Sequence, residues 1–179
     1  MIYYKRNQRK EGNEMVASTL ANESNFLFDD SRIDWGAFPY VENAEFSLYD
    51  FDEERQIIDL VFKFEANKKI TVHTHIAQTN MLIISGELRI YETDGAIKEI
   101  RQAGQYYRGK KDDTHSEGGG PDGAVVFYSL RGDGRQELLN VIEEEKIKAK
   151  IIHDDVRYMW INTLIHISSS RRIERCRSR

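Results

Sequence analysis

The sequence predicts an all-β protein, a double-sheet jelly-roll barrel that ends in one α-helix. Short segments with apolar residues on one or both faces fill most of the chain, and turn sequences such as Asp94-Gly95 and Gly120-Pro121-Asp122-Gly123 separate them. Near residue 155 the spacing of apolar residues changes from a strand period to a helix period. Many short strands followed by a single terminal helix are typical of a jelly-roll barrel.

The strands are predicted from alternating or continuous runs of apolar residues. They cover residues 58–64, 81–86, 88–92, 96–101, 124–130 and 146–151. Thr93-Asp94-Gly95 predicts a hairpin turn between two of them, because Asp and Gly both accept the positive φ that tight hairpins need. The last strand alternates lysines with Ile147, Ala149 and Ile151, so one of its faces should be buried and the other exposed.

The helix is predicted from the residues that follow Asp154 and Asp155. Positions at helical spacing are occupied by Val156, Met159, Trp160, Thr163, Leu164 and Ile167. Either aspartate can accept hydrogen bonds from the backbone amides of a first helical turn. We therefore expect one helix to pack on the end of the barrel.

Length and composition fit a single domain. A chain of 179 residues with 40% hydrophobic residues is long enough to bury a core. We expect one domain over residues 26–167, between a polar N-terminal tail (1–25) and a basic C-terminal tail (168–179). No apolar stretch approaches the roughly 18 residues that span a bilayer, so no membrane partner is expected.

Charge and cysteine content limit the partners and the compartment. The formal net charge is −4, which gives no general attraction to nucleic acids or to anionic membranes. Cys176 is the only cysteine, so the chain forms no internal disulfide, and the reducing cytoplasm is the expected compartment. The phosphate-binding, dinucleotide-binding and serine-hydrolase motifs are missing, which excludes nucleotide-dependent and serine-hydrolase functions.

Three of the five histidines form the candidate site. His73 and His75 are two residues apart in an extended segment, so both imidazoles should point to the same side of a strand. His115 follows 40 residues after His75, and Gly104 opens a segment that can bring it alongside. Imidazole nitrogens bind first-row divalent metals well, and three of them leave other positions open for water, substrate or dioxygen. The spacing therefore predicts a metal site.

This pattern resembles the cupin superfamily, in which two short motifs supply the metal ligands. His73, His75 and Gly86 match the histidine pair and the glycine of the first motif. Thr79 occupies the position where that motif has a glutamate, so the usual carboxylate ligand is missing. In the second motif the histidine is matched by His115.

The resemblance covers roughly residues 66–119 and implies a cupin barrel, a double-stranded β-helix, with a three-histidine centre. A three-histidine cupin of this kind is similar to acetylacetone-cleaving and dihydroxyacetophenone dioxygenases. The resemblance implies Fe(II) on the histidines, with Zn, Ni or Mn as alternatives, and cleavage of a carbon–carbon bond in a small ketone or enol by dioxygen. Three neutral imidazoles leave the full charge of the ion in place, which favours an anionic oxygen chelate such as an enolate.

Further side chains are candidates for the site. Glu117 lies two residues beyond the third histidine and would share its face, as a fourth ligand or a base, if the strand continued. Gly118-Gly119-Gly120 predicts instead that the strand ends there. Tyr107 precedes the third histidine and is a candidate to polarise a substrate carbonyl. Gln78 and Thr79 offer neutral oxygens near the missing glutamate, and neither is expected to be a ligand.

Two other functions and the assembly are left open. Zinc on three histidines with one water is also the ligand set of hydrolytic sites. A barrel with or without metal can instead sense a small ligand without converting it.

An aromatic-rich segment precedes the barrel and comprises Phe26, Phe28, Trp35, Phe38, Tyr40, Phe46 and Tyr49. It is expected to cover an edge of its own or a neighbouring barrel, which predicts a homodimer.

Overall fold

The computed structural model describes residues 28–162, which contain ten strands and one helix. The strands are β1 (Gly36–Ala37), β2 (Ala44–Asp52), β3 (Ile57–Phe64), β4 (His73–His75), β5 (Gln78–Tyr91), β6 (Ile97–Gln102), β7 (Tyr106–Arg108), β8 (Asp113–Arg131), β9 (Glu137–Glu143) and β10 (Lys146–Ile152), and helix α1 spans residues 153–162. Both predicted tails and the two ends of the predicted domain lie outside the described residues. Within the described part, no helix is long and apolar enough to cross a membrane.

The strands form one curled sheet with two halves. In the first half β1, β2, β3, β8 and β5 are hydrogen-bonded neighbours in that order, with β6 and β7 beside β5. In the second half β8, β4, β9 and β10 follow one another, and all these strand pairs are antiparallel. β8 belongs to both halves, because residues 113–115 pair with β4 and residues 124–131 pair with β3. The predicted jelly-roll barrel is confirmed.

The core lies between the two halves of the sheet. On β3, the alternate residues Ile58, Leu60 and Phe64 point inward and are at most 3% exposed. Leu138 and Ile151 of the other half belong to the same cluster. Burying one such side chain contributes about 1.5–3 kcal/mol to stability, so the alternation that predicts the strands also holds the halves together.

The predicted hairpin and helix are both present. β5 and β6 are joined through Gly95, whose φ is +90°. Helix α1 begins at residue 153, and the Ile152 amide donates a hydrogen bond of 2.9 Å to Asp155 Oδ2, which satisfies one free amide at the helix start. The alternation of β10 is only partly confirmed. Ile151 is buried, but Ile147 is exposed where the pairing with β9 shifts register.

One strand differs from the prediction. Gly118-Gly119-Gly120 do not end the strand that carries the third histidine, because β8 continues through them. Residues 120–123 form a bulge in β8 opposite β5 rather than a turn between strands. The glycines are needed because residues 65–70 cross close to them: a Cβ on the middle glycine would lie 2.5 Å from the Glu65 carbonyl oxygen. Glu117 therefore stays in an extended strand.

The aromatic segment before the barrel covers part of this chain's own barrel. β1 pairs with β2, and the Phe38 ring contacts those of Phe46 and Phe62, with centroid distances of 5.0 and 5.3 Å. Tyr40 is 57% exposed. Phe26 lies outside the described residues, and the homodimer stays a prediction.

Candidate metal centre

β4 and β8 bring the three predicted histidines together. His73 and His115 face each other across the two strands, and His75 lies two residues from His73 on the same strand. The ring centroids are 4.8, 5.0 and 5.1 Å apart, and the three side chains belong to residues that are 3–7% exposed. The geometry that the spacing predicted is therefore present, on the inner face of the barrel.

Glu117 completes the group. Because β8 remains extended through this residue, its side chain lies on the same face as His115, and the residue is 2% exposed. Its Oε1 atom lies 3.0 Å from His115 Nε2 and 3.7 Å from His75 Nε2. Each of the four residues offers one ligand atom, and these atoms all lie within 4.8 Å of one another. Within residues 28–162 this is the one group of histidine, cysteine and carboxylate side chains so arranged.

Hydrogen bonds donated by the Nδ1 atoms orient two of the imidazoles. His73 Nδ1 lies 3.0 Å from the Thr71 carbonyl oxygen, and His115 Nδ1 lies 3.0 Å from Asp113 Oδ2. A carbonyl and a carboxylate only accept, so each Nδ1 carries a hydrogen. The Nε2 atom of His73 then keeps a lone pair, and that of His115 offers one once its proton has left. This is the tautomer that a metal-binding histidine needs.

Thr79 orients the third imidazole. Its Oγ1 atom lies 3.0 Å from His75 Nδ1 and 3.3 Å from the Ala77 carbonyl oxygen. The hydroxyl donates to the carbonyl and therefore accepts from Nδ1–H, which leaves the lone pair of His75 on Nε2. Thr79 thus lies behind His75 and not at the centre itself. The neighbouring Gln78 side chain donates to the Gly109 carbonyl oxygen, so neither residue takes the place of the missing glutamate.

The separations between the ligand atoms fit one metal ion. Ligand atoms about 2.0–2.2 Å from an ion, at angles of about 90–109°, lie about 2.8–3.6 Å from each other. Two observed separations lie in this range: 3.1 Å between the Nε2 atoms of His73 and His75, and 3.0 Å between Glu117 Oε1 and His115 Nε2. The distance from Glu117 Oε1 to His75 Nε2, 3.7 Å, lies just above it, and all four ligand atoms lie within 4.8 Å of one another. Two imidazole nitrogens that face each other at 3.1 Å need a proton or a metal ion between them, because two lone pairs at this distance repel. The donors present therefore fit a first-row divalent ion.

The pKa shifts of these side chains also fit a metal site. Burial lowers the pKa of His73 to about 3, and the neighbouring His75 adds to this shift. Burial also opposes a charge on His115, but hydrogen bonding and attraction to Glu117 and Asp113 outweigh it and raise its pKa. Burial acts to raise the pKa of Glu117, but its interactions with the neighbouring histidines, first of all His115, outweigh it, so this pKa lies well below its usual range. The raised pKa of His115 thus favours a proton on this residue beside the buried carboxylate.

Metal binding is expected to weaken by about tenfold for each pH unit below the raised pKa of His115, because the ion must displace the proton on this residue. In an Asp113→Asn variant the side-chain oxygen still accepts from Nδ1, while one of the two charges that raise the pKa is lost and that of Glu117 remains. The weakening should therefore begin at a lower pH in the variant. Co(II) titrations between about pH 5 and pH 8 measure this, and identical profiles would contradict it.

A Thr79→Val variant is expected to bind a divalent metal about tenfold more weakly, because valine keeps the shape but removes the oxygen that orients His75. Thr79→Ser, which keeps a hydroxyl, is the matched control and should retain most of the affinity. Titration with Co(II) against a competing chelator measures both variants. Unchanged affinity in Thr79→Val would mean that the orientation of His75 does not depend on this hydrogen bond.

The structure places Tyr107 outside the centre. Its hydroxyl donates to Gln105 Oε1 at 2.8 Å, and its ring centroid lies 4.4 Å from the Arg101 guanidinium carbon, on the short strand β7 that pairs with β5. The tyrosine at the centre is Tyr128, whose hydroxyl donates to Glu117 Oε2 at 2.6 Å. Burial, followed by the attraction of the Glu117 charge for the phenolic proton, raises the pKa of Tyr128 well above its usual value. No sequence motif marks Tyr128, because the bulge in β8 separates it from the third histidine.

An apolar cavity opens onto this group. Its polar end is formed by His73, His75, Thr79, Glu117 and Tyr128. Its walls include Phe38, Val41, Leu60, Leu130, Ile151 and Val156. About 60 Å³ is left in which the centre of a water-sized molecule can move, whereas a single water needs about 10–15 Å³ by this measure. The cavity therefore admits a small molecule, and none of its lining residues in the described chain is a lysine or an arginine.

The chain shares its fold with solved cupin structures. An acetylacetone dioxygenase from Acinetobacter johnsonii matches with a TM-score of 0.60 and 16% identity over 91% of this chain and 99% of that chain. An RmlC-like cupin protein from Ralstonia eutropha JMP134 matches with a TM-score of 0.60 and 16% identity over 75% and 83%, and a cupin-like protein from Thermotoga maritima MSB8 with 0.53 and 17% over 66% and 92%. No protein-family model and no curated protein matches the sequence. The fold is that of a cupin, as the two sequence motifs predicted.

Proposed function

We propose that this chain is a metal-dependent, dioxygenase-like cupin that acts on a small ketone- or enol-type substrate. The observation that carries the proposal is the convergence of three imidazole lone pairs and one anionic carboxylate at the polar end of an apolar cavity. An acetylacetone dioxygenase with the same fold supports the direction of the proposal, while its 16% identity speaks for the fold alone.

His73, His75, His115 and Glu117 would hold the ion, with Fe(II) as the first choice and Zn, Ni or Mn as ions that the same donors accept. A bound Fe(II) would supply the redox chemistry by which dioxygen reacts with the substrate and a carbon–carbon bond breaks. The carboxylate lowers the net charge of the centre by one unit relative to three histidines alone. A singly charged enolate that chelates the ion would then leave the centre neutral, which suits a buried apolar site.

The chain's own residues define what binds beside the ion. The apolar walls exclude water and accept the non-polar part of a small molecule. Since no lysine or arginine of the described chain lines the cavity, a substrate with an additional carboxylate would find no counter-charge there. The lowered pKa of Glu117 makes it a weak base, so we assign it to the ion as a ligand.

Oxygen consumption tests the proposed reaction. The protein is purified without oxygen, loaded with Fe(II), and mixed with oxygenated buffer and 2,4-pentanedione as a simple diketone probe. We expect oxygen uptake that requires both Fe(II) and the diketone, and none in a His115→Ala control. Tight binding of the diketone without oxygen uptake would support a ligand sensor, and hydrolytic activity with zinc would support a zinc-dependent enzyme; either result would contradict the proposal.

Assembly and location belong to the same proposal. We propose a homodimer in the cytoplasm whose partners are the small substrate and dioxygen, with no nucleic acid or membrane partner. Light scattering of the full chain at micromolar concentration measures its mass, and a monomeric mass would contradict the dimer.

A further inference from the structure

A tyrosine without a role in the proposed reaction contacts the second oxygen of the carboxylate. The Tyr128 hydroxyl donates to Glu117 Oε2 at 2.6 Å, while Glu117 Oε1 lies 3.0 Å from His115 Nε2. The two oxygens of one carboxylate therefore have different partners. Tyr128 is 3% exposed and lines the cavity together with Glu117, so this contact is part of the cavity wall.

The position of the Tyr128 hydroxyl is set by packing. Its ring packs edge-on against Phe62, with a centroid distance of 5.7 Å and an interplanar angle of 90°, and against Phe64 at 6.5 Å. Its backbone lies in β8 between Leu60 of β3 and Met81 of β5. A ring enclosed in this way cannot follow the carboxylate if the carboxylate turns. The hydrogen bond to an anionic oxygen is of the short, charge-assisted kind, which is among the stronger ones in proteins.

A carboxylate can bind a metal ion through one oxygen or through both. Three imidazoles and one carboxylate oxygen leave two positions of a six-coordinate ion for other ligands. Binding through both oxygens would leave a single position, and a chelating substrate needs two. An Oε2 atom that already accepts a hydrogen bond from Tyr128 would be held away from an ion bound through Oε1.

We infer that Tyr128 is a positioning residue that restricts Glu117 to one-oxygen ligation and thereby keeps open a coordination position for a chelating ligand. The inference rests on the proposed function, since it requires a metal ion on this four-residue group. It adds a residue that no cupin motif in the sequence contains. Tyr128 acts here through Glu117 and need not touch the ion.

The test uses Co(II), whose visible absorption reports its coordination, in the full-length protein. Tyr128→Phe removes only the hydroxyl and keeps the ring, and Tyr107→Phe is the matched control because that hydroxyl contacts Gln105 outside the cavity. We expect Tyr128→Phe to change the Co(II) spectrum and to weaken binding of acetohydroxamate, a two-oxygen chelator, by about tenfold. Tyr107→Phe should match the wild type in both measurements.

A wild-type spectrum and wild-type acetohydroxamate affinity in Tyr128→Phe would overturn the inference, even if the variant were less stable. Failure of the wild type to bind Co(II) would overturn the inference and the proposed function together. If Tyr128→Phe changes the Co(II) spectrum and the acetohydroxamate affinity as expected, but the Fe(II)-loaded wild type consumes no oxygen, the inference stands and the proposed dioxygenase function is rejected.

An infrared measurement on the wild type makes the test independent of whether Tyr128→Phe folds. One-oxygen ligation separates the two carboxylate stretching bands widely, and two-oxygen ligation brings them together. Protein with isotopically labelled glutamate, compared with and without Co(II), isolates the band of the carboxylate that binds. Widely separated bands are expected, and closely spaced bands would overturn the inference.

Discussion

Replacing His73 or His115 with alanine should weaken divalent-metal binding by more than about 100-fold. Each residue supplies one of the four converging ligand atoms, and the loss of a ligand should exceed the 10–100-fold effect typical of residues that only orient ligands. The variant has one ligand fewer in a buried site. Neighbouring side chains cannot move in to replace it, because they are held in two paired strands. Titration of the purified protein with Co(II) against a competing chelator measures the change.

His153→Ala is the matched control for these variants. His153 is also buried, at 4% exposure, but its ring packs against Phe51 at a centroid distance of 4.7 Å and is not part of the four-residue group. The substitution should lower stability through lost packing and leave metal affinity unchanged. An equal loss of affinity in His153→Ala and His115→Ala would contradict the assignment of the ligands.

Glu117→Gln should weaken divalent-metal binding by about 10–100-fold, because the amide keeps the size of the side chain but removes its charge. The buried imidazoles would then face an ion without the anion that offsets its charge. The matched control is Glu92→Gln, whose carboxylate is 48% exposed and forms a 3.8 Å ion pair with Lys98 at the surface. Co(II) titration compares the two variants with the wild type.

The outcome of the Glu117 experiment separates two descriptions of the centre. Wild-type affinity in Glu117→Gln would mean that three histidines alone bind the ion, which is the set that the cupin motifs in the sequence predict. A marked loss of metal affinity would mean that Glu117 of β8 supplies the carboxylate ligand. It would then take the role of the glutamate in the first motif, whose position Thr79 occupies.

Local patterns in the sequence predict much of the fold. Alternation predicts the strand that carries Ile58 and Leu60, and the Asp-Gly pair predicts the hairpin between β5 and β6, because both depend on residues close together in the chain. The prediction that the strand ends at Gly118-Gly119-Gly120 was wrong, because the reason for these glycines lies in the tertiary structure. These glycines make room for residues 65–70, which are distant in sequence and cross close to β8.

The site shows the same division. The three histidines are predictable, since two-residue spacing in a strand places His73 and His75 on one face regardless of what surrounds them. The same two-residue spacing places Glu117 beside His115, but only if β8 continues through residue 117 and beyond. The three glycines that follow predicted that the strand would end. Tyr128 and Tyr107 depend on strand pairing and on the bulge in β8, which determine which ring reaches the cavity. Sequence spacing carries no information about either.

X-ray absorption at the edge of a bound metal tests most directly whether the four residues hold one ion. Fine structure from protein loaded with one equivalent of Fe(II) counts the ligands and distinguishes imidazole from simple oxygen donors. We expect three imidazoles and one carboxylate at about 2.0–2.2 Å, with one imidazole lost in His115→Ala. A shell made only of oxygen donors, or an unchanged imidazole count in His115→Ala, would contradict it.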